Sequence, residues 1–340
     1  MLSQFILLPT PQLQPIEATK MKWTTRLLVA IVTAGIAGTA SAQVVNDSPR
    51  AQWFTGSLES PSPALPKAGL VAVEPYVIYQ RNTGEYDTSG GHQSGPNDIR
   101  QTQSLYLFKY GITNHLSFQA LPSFAHVWND QNSDTGVGDL PAEFDYRFNN
   151  ENIKTGFPSV TASVGVSFPI GNYQRLGIPL DGLGSGAFTL KEGLLFQSLF
   201  PTPHHHPVRI RLYGVGYEPL ANVQLHGIST YGTVQGFVGH AAPGLAGILG
   251  FGGGYGLTQR WVLAFDLVQN LSHGSRIQGT DALGNPVNTQ ASGSDQTSVA
   301  PAIEYNFSGH VGLIAGAEFS VAGRNASSYI APQIALSASF

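Results

Sequence analysis

Three histidines in a row, His204, His205 and His206, are the first residues whose type could do chemistry, because imidazoles are common ligands of zinc and nickel. Adjacent residues do not converge easily on one ion, and no carboxylate stands near them in the sequence. We therefore interpret the triple as a solvated turn and predict no metal site. The glycine-rich stretch FGGGYG at 251–256 suggests a phosphate loop, but no lysine and helix follow it. Glycine packing inside the fold, or a kink, explains the stretch better, and no cofactor is predicted.

His273 and Ser275, with Asp266 upstream, have the residue types of a general base, a nucleophile and an orienting acid. Such a group works only where the three side chains converge in space, and nothing in this spacing enforces convergence. The sequence therefore predicts that the protein is not an enzyme, and a hydrolase is the less favoured alternative.

The amino-acid composition limits the class of protein that could position these residues. The chain has 340 residues, of which 11% are charged, whereas about 25% is usual for a soluble protein. Few charges therefore remain to cover a surface in water. The absence of cysteine excludes disulfides and thiolate metal sites. A net charge of −4 offers no basic surface for nucleic acid, so none is expected as a partner.

The N-terminal part has the pattern of a secretory signal peptide. Lys22 and Arg26 precede an apolar run over 27–37, which is shorter than the roughly 20 residues of a membrane-spanning helix. Small residues at 40–42 then form a cleavage site. We predict that 1–42 is an N-terminal extension with a signal peptide, and Met21 is a candidate for the true start. The proline-punctuated segment 43–67 is predicted to be a periplasmic lead or a plug.

From residue 68 to 340 the sequence alternates in polarity with a period of two, which is typical of β-strands with two different faces. The runs are longer than the five or six residues of ordinary globular strands and close to what a tilted strand needs to cross a membrane. Twelve such runs are predicted, at 68–80, 99–110, 114–127, 137–148, 158–169, 186–200, 207–219, 244–257, 260–271, 295–307, 310–321 and 328–340.

The connections between these runs alternate in length. Those after the second, fourth, sixth, eighth and tenth runs are tight, and those after the first, third, fifth, seventh and ninth are longer. Short turns on one rim and long loops on the other are typical of bacterial outer-membrane barrels. The sequence therefore predicts an all-β transmembrane, antiparallel up-and-down β-barrel of about 12 strands, in contact with outer-membrane lipid.

Charged residues fall on one face of the predicted strands and large apolar residues on the other. In VGDLPAEFDYRF, Phe144, Tyr146 and Phe148 share a face, and charges occupy the opposite one. A lipid-facing exterior with a wet lumen satisfies both sets of residues. We expect ion pairs inside the lumen, which either hold the barrel shape or contact a solute. The predicted lumenal charges are Glu74, Lys109, Asp139, Glu143, Asp145, Arg147, Arg209, Arg211, Asp266, Glu304 and Glu318.

Four further residues carry separate expectations. Glu192 shares the parity of Phe188 and Leu194, so a bulge is expected to return it to the lumen. Three tyrosines are candidates for contact with an apolar ligand, or for packing and girdle roles: Tyr76, Tyr213 and Tyr329.

The chain stops on Phe340, at the end of the alternating stretch QIALSASF. This ending resembles the last strand of bacterial outer-membrane barrels. In those proteins the terminal phenylalanine is the assembly signal for the barrel-assembly machinery, which the resemblance implies as a partner here.

The stretches GVGDLPAEFDYRF and FPSVTASVGVSFPIGNY, spanning Gly136–Tyr173, resemble the transporter-like outer-membrane family of the phenol-degradation meta-pathway. Pro169, Ile170 and Gly171 stand where that family has proline, threonine and glycine. The family is distantly similar to the long-chain fatty-acid outer-membrane transporters. The resemblance implies uptake of small apolar, often aromatic, compounds.

Together these patterns predict a monomeric channel or transporter in the bacterial outer membrane that passes small solutes, apolar or aromatic ones in particular. A structural or surface-binding barrel with a closed lumen is the alternative, and an outer-membrane hydrolase is less favoured.

Overall fold

A computed structural model describes residues 52–95, 99–202 and 206–340 of the chain. The predicted signal peptide, residues 43–51 of the predicted plug, and His204 and His205 lie outside these residues. Within the described part, no helix is long and apolar enough to cross a membrane.

Twelve long antiparallel strands form the body of the molecule. Two of them, β3 and β4, are each interrupted once. The strands are β1 (Val71–Tyr86), β2 (Arg100–Gly111), β3 (Leu116–Ala120 and Ser123–Trp128), β4 (Ser133–Val137 and Leu140–Asn149), β5 (Ser159–Phe168), β6 (Thr189–Phe200), β7 (Val208–Pro219), β8 (Ala246–Gly256), β9 (Trp261–Ser272), β10 (Ser294–Asn306), β11 (Val311–Arg324) and β12 (Ala326–Ser339).

Each strand pairs with its neighbours in sequence, and β1 pairs with both β2 and β12, so the sheet closes on itself. The closing pair sets Val73 opposite Ala338 and Val77 opposite Ile334. Closure pairs the long strands on both sides, which a membrane-spanning sheet requires because lipid cannot satisfy free backbone groups. Only the short segment Ser133–Val137 pairs on one side, with Ser123–Trp128, among the long strands of the described residues. The prediction of a twelve-stranded up-and-down barrel is confirmed.

The barrel is apolar outside and polar inside. On β4, the side chains of Phe144, Tyr146 and Phe148 are 49 to 59% exposed on the outer face, whereas Asp145 between them is 1% exposed. The same alternation continues along β9 and β12. Since exposed aromatic rings and buried charges would both be unfavourable in a water-soluble barrel, the outer face must contact lipid.

Two rims can be distinguished by their connections. The short-turn rim carries 112–115, 150–158, 201–207, 257–260 and 307–310, and it faces the periplasm in barrels of this type. The opposite rim, which we call the long-loop rim, carries 87–99, 129–132, 169–188, 220–245, 273–293 and the single residue Asn325.

Two predictions about the strands were wrong. The connection after the third run is only 129–132, because β4 begins at Ser133 and not at 137. Its first segment, SDTGV, has small and polar residues at 133–136, so it lacks the apolar alternation from which strands were predicted. In addition, β6 pairs with β5 and β7 without a bulge, so Glu192 stays on the outer face and Lys191 turns inward.

The longest loops form a small sheet of their own at the long-loop rim. Four short strands pair in the order Val223–His226, Val238–Ala242, Arg276–Thr280 and Pro286–Gln290. Leu225, Phe237 and Ala241 form the core beneath them. A two-stranded pairing of Gln174–Leu176 with Ile228–Ser229 joins this unit to the loop 169–188.

Candidate functional site

The lumen is entered by a segment of the chain itself, residues 52–67, which we call the inserted segment. Trp53 N–H donates to the carbonyl of Gln259 in the short-turn rim, and Gly69 N–H donates to Gly111 at the same rim. Between these points Leu58 reaches the inner wall, where it is 2% exposed against Ile314. The segment therefore enters and leaves at one rim and does not cross the barrel.

A single carboxylate of the wall, Asp266 on β9, holds the deepest part of the inserted segment. It accepts hydrogen bonds from the hydroxyls of Ser57 and Ser60 and, at 3.2 Å, from the backbone N–H of Glu59. Asp266 is fully buried. A buried carboxylate must be satisfied in this way, so its three bonds fix the position of residues 57–60.

Two arginines of β7, which is separated from β9 by one strand, also hold the segment. Arg209 pairs with Glu304 at 2.8 Å, donates to the carbonyl of Gly56, and lies 4.5 Å from the centre of the Phe54 ring. Arg211 donates to the carbonyl of Ser60 at 3.1 Å. Glu304 in turn accepts from the backbone N–H of Thr55, at 2.9 Å, so the arginines and their carboxylate act on the same piece of chain.

Glycines in the wall make room for the segment. A Cβ at Gly252 would overlap the side chain of Ser60, and one at Gly316 would come within 2.7 Å of Leu58 Cδ1. Gly252 belongs to the FGGGYG stretch, whose alternate glycines face the inserted segment and not a phosphate. These glycines matter because they have no side chain, which leaves space for the inserted segment.

A second group of charges lies in the wall beyond the inserted segment. Lys109 pairs with Asp145 at 2.8 Å, and Lys191 pairs with Glu143. All four side chains are at most 8% exposed, and the group is neutral as a whole. Lys191 was not predicted to face the lumen, because only the neighbouring charge, Glu192, was considered in this strand. The parity of Lys191, opposite to that of Leu190 and Leu194, was the signal that could have found it.

Three of the remaining predicted lumenal charges form hydrogen bonds with neutral partners. Glu74 accepts from Ser337 Oγ at 2.8 Å and from Tyr76 Oη at 3.0 Å. Glu318 accepts from Ser298 Oγ, and Arg147 donates to the carbonyl of Asn114 at 3.0 Å. These contacts hold neighbouring strands together.

Asp139 differs from the other predicted charges because it holds a loop. It lies at the interruption of β4 and accepts from the N–H of Gly171 at 3.1 Å and from the N–H and hydroxyl of Ser185 at 2.8 and 2.6 Å. Burial raises the pKa of the Asp139 carboxyl, and the donors from Ser185 and Gly171 act in the opposite direction. Beside it, Leu180 and Leu183 of the same loop pack on Val127 of β3.

We expect Asp139→Ala to release the loop 169–188 from the barrel wall. The change leaves two backbone N–H groups without an acceptor, and each such loss costs about 1–3 kcal/mol. Amide hydrogen exchange in 169–188 should accelerate by about a hundredfold, since about 3 kcal/mol of local opening free energy is removed. Asp134→Ala, on the same strand, is the matched control. Unchanged exchange in Asp139→Ala would show that Leu180 and Leu183 alone hold the loop.

The three candidate tyrosines all point into the barrel, but their hydroxyls are in different environments. Tyr76 donates to Glu74, and Tyr329, 2% exposed, packs in the same apolar cluster as Leu58. Tyr213 lies elsewhere on the wall, and its hydroxyl, like that of Tyr329, has no hydrogen-bond partner among the described residues. Tyr76 and Tyr329 both belong to the apolar cluster around Leu58, so they pack the interior of the barrel.

The residues with catalytic types are not brought together. His273 lies just beyond β9 and Ser275 two residues on, whereas Asp266 lies six residues down that strand from Ser272, a distance of about 20 Å in an extended chain. Asp266 is also occupied by the inserted segment. His206 Nδ1 donates to the Gly256 carbonyl at 2.8 Å, and no cluster able to hold a metal exists among the described residues.

Phe340 lies at the closing point of the barrel. Its backbone exchanges hydrogen bonds with Val71, at 2.9 and 2.8 Å, and its side chain is 70% exposed beyond the last strand.

No protein-family model matches this chain, and no curated protein matches it in sequence. Solved structures with a similar fold include an outer-membrane channel from Pseudomonas putida F1, which is 15% identical, covers 84% of this chain and 100% of that chain, and gives a TM-score of 0.58. A mutant of the monoaromatic hydrocarbon channel TodX is 12% identical over 86% of this chain and 96% of that one, with a TM-score of 0.44. The transport unit of the autotransporter AIDA-I from Escherichia coli is 11% identical over 84% and 94%, with a TM-score of 0.46.

At 15% identity, the first of these similarities shows a shared barrel fold. Combined with the closed sheet and the lipid-facing exterior, it defines the class of protein: the chain is a twelve-stranded transmembrane β-barrel of the bacterial outer membrane.

Proposed function

We propose that this barrel is an outer-membrane channel for small solutes, closed at rest by residues 52–67. The observation that carries the proposal is how the inserted segment is attached. It is held by side-chain hydrogen bonds to Asp266, Arg209 and Arg211, and it does not pair as a strand of the barrel. A segment held in this way can leave the lumen without unfolding the wall.

We further propose that the preferred solutes are small apolar or aromatic compounds, as the family resemblance of Gly136–Tyr173 implies. The charge balance of the lumen supports this class. Lys109, Lys191 and Arg209 are each paired with a carboxylate, so these charges contribute no field of one sign that would select ions. Size and polarity then set the limits of passage.

Assembly and oligomeric state belong to the same proposal. The exposed side chain of Phe340, at the end of the strand that closes the barrel, is available to the barrel-assembly machinery. Closure within one chain makes a monomer a complete channel.

Solute entry into liposomes that contain the refolded mature chain tests the function. Small aromatic solutes should enter faster than sugars and amino acids of similar size, after subtraction of leak into liposomes without protein. Equal entry of all solutes would indicate a general porin and would contradict the aromatic preference. Absence of any entry, from protein shown to be folded, would contradict the channel itself and favour a closed structural or surface-binding barrel.

A further inference from the structure

The outer face of β1, β2 and β3 changes character towards the long-loop rim. Val77 and Phe124 belong to the apolar surface that contacts lipid, and they are 49 and 50% exposed. Nearer the rim, the same face of the three strands carries five larger polar or amphipathic residues, which we call the arginine patch: Tyr79, Arg81, Arg100, His126 and Trp128. The arginine patch therefore lies where the apolar surface ends.

The two arginines of the patch are neighbours across the sheet. Arg81 on β1 stands directly opposite Arg100 on β2 in the strand register. Side chains placed in this way have Cβ atoms about 4.5–5.5 Å apart, and like charges in this arrangement destabilise a sheet. Arg81 is exposed and the Arg100 side chain is 31% exposed, so both guanidinium groups are accessible from outside the barrel. An anion that contacts both groups would offset their repulsion.

The described acids near the arginine patch lie on its rim side or on the inner face. Asp130, in the turn beyond β3, approaches Arg100 Nη2 at 3.5 Å, and its side chain is 78% exposed. Glu85 lies further along β1, opposite Ser327, and Asp134 has the parity of the inner face of β4. A guanidinium has five N–H donors, so the contact with Asp130 leaves Arg100 able to bind a second anion.

The aromatic rings of the arginine patch indicate its depth in the membrane. Trp128 stacks on His126 with ring centres 5.2 Å apart and lies 6.1 Å from the ring of Tyr79. Amphipathic rings of this kind are enriched at the level of the lipid headgroups. An arginine on the lipid-facing side of a barrel is unfavourable at the midplane and costs little at this level. Since long loops are extracellular in barrels of this type, the headgroups beside the patch are those of the outer leaflet.

The chemistry of the arginine patch selects phosphate. A guanidinium presents a planar fork of donors that binds phosphate oxygens in a bidentate manner. The outer face of β6 and β7 differs, because Glu192 and Glu218 lie there near the same rim and would repel phosphate. Beside Arg81 in the register stands Ile330, 42% exposed, which offers an apolar surface to an acyl chain.

We propose that the arginine patch is a binding site for the phosphate group of an outer-leaflet glycolipid of the lipid A type. Arg81 and Arg100 hold the phosphate, Trp128 borders the sugar, and acyl chains lie along Val77 and Ile330. This inference goes beyond the proposed channel, because the site lies on the outer wall and requires no passage of a solute.

Binding of labelled lipid A to the refolded mature chain in detergent tests the proposal, with dephosphorylated lipid A and phosphatidylglycerol as comparison probes. The double variant Arg81→Gln/Arg100→Gln removes both charges of the arginine patch. Arg175→Gln/Arg276→Gln removes two exposed arginines from loops of the same rim, and it is the matched control because it changes the net charge equally. Arg81→Lys/Arg100→Lys keeps the charge of the patch and removes the bidentate geometry.

Lipid A should bind the native chain at least about tenfold more tightly than its dephosphorylated form, the usual effect of hydrogen bonds to a charged group. That preference should vanish in the glutamine variant of the patch, weaken in the lysine variant and persist in the loop control. Equal binding of the two lipid forms to the native chain would overturn the proposal. So would a preference that survives in the glutamine variant.

The remaining outcomes test the site and the class of ligand. An equal loss of binding in the loop control would show that the net charge of the rim attracts the lipid, and it would overturn the assignment to the arginine patch. Phosphatidylglycerol bound as tightly as lipid A would overturn the assignment to a glycolipid. Displacement of lipid A by an equal concentration of inorganic phosphate would do the same. None of these results bears on solute passage, which the liposome measurement decides separately.

Discussion

A chain that begins at Ala68, and so lacks the inserted segment, is expected to conduct ions several-fold better than the mature chain in planar bilayers. Removal of residues 52–67 leaves the acceptors and donors of Asp266, Arg209 and Arg211 facing water in the lumen, where hydration replaces the lost contacts. The wall itself is unchanged, because β1 pairs with β12 and β2 without the segment. Single-channel recording measures the effect.

A point variant separates the role of the segment from the consequences of truncation. Asp266→Asn weakens the three hydrogen bonds that fix residues 57–60, so it should give intermittent openings to the conductance of the truncated chain. Glu218→Gln, on the outer face of β7, is the control and should behave as the native chain. If the truncated chain conducts no better, the inserted segment is not what closes the lumen.

Lys191→Met should lower the free energy of unfolding by about 3–5 kcal/mol, the usual cost of removing one partner of a buried ion pair. The change leaves Glu143, whose side chain is 1% exposed, charged and without its closest cation. A second substitution, Glu143→Gln, removes that charge and should recover most of the loss. Urea unfolding in lipid vesicles, followed by tryptophan fluorescence, measures both variants.

Glu192→Gln provides the control, because it changes a carboxylate one residue away on the opposite face. It should alter the unfolding free energy by no more than about 1 kcal/mol, as outward carboxylates near the membrane interface cost little. If Lys191→Met were as mild as Glu192→Gln, the ion pair would not be a buried one in the membrane.

The sequence predicts the barrel well because lipid imposes a strict rule. A residue on the outer face must be apolar and its neighbours in sequence face the lumen, so alternation alone assigned Asp145, Arg209 and Asp266 to the inside. Segments without this apolar alternation could not be predicted as strands from the sequence. The first segment of β4, Ser133–Val137, has Ser133 and Thr135 on its exposed face, so alternation did not reveal it. The four-stranded sheet of the long loops was missed for the same reason.

Contacts that depend on distant parts of the chain could not be predicted. Nothing in SPSPALPK indicates that Ser60 meets Asp266 some 206 residues away, since serine is an ordinary loop residue. Likewise, the sequence does not reveal that Asp139 bonds the loop at Ser185, because this depends on where β4 is interrupted. The prediction that Glu192 returns to the lumen was wrong for a different reason. One carboxylate on the outer face is tolerated near the end of a strand.

The inserted segment also constrains the order of assembly. Its partners come from strands between β5 and β12: Thr161 on β5, Arg211 on β7, Asp266 on β9 and Gln333 on β12. An open sheet cannot offer all of them at the same distances, so the segment can dock fully only after β12 has met β1. Full docking therefore follows closure of the barrel, and its complete set of contacts stabilises closed barrels alone. The inserted segment thus distinguishes a completed barrel from an unfinished one.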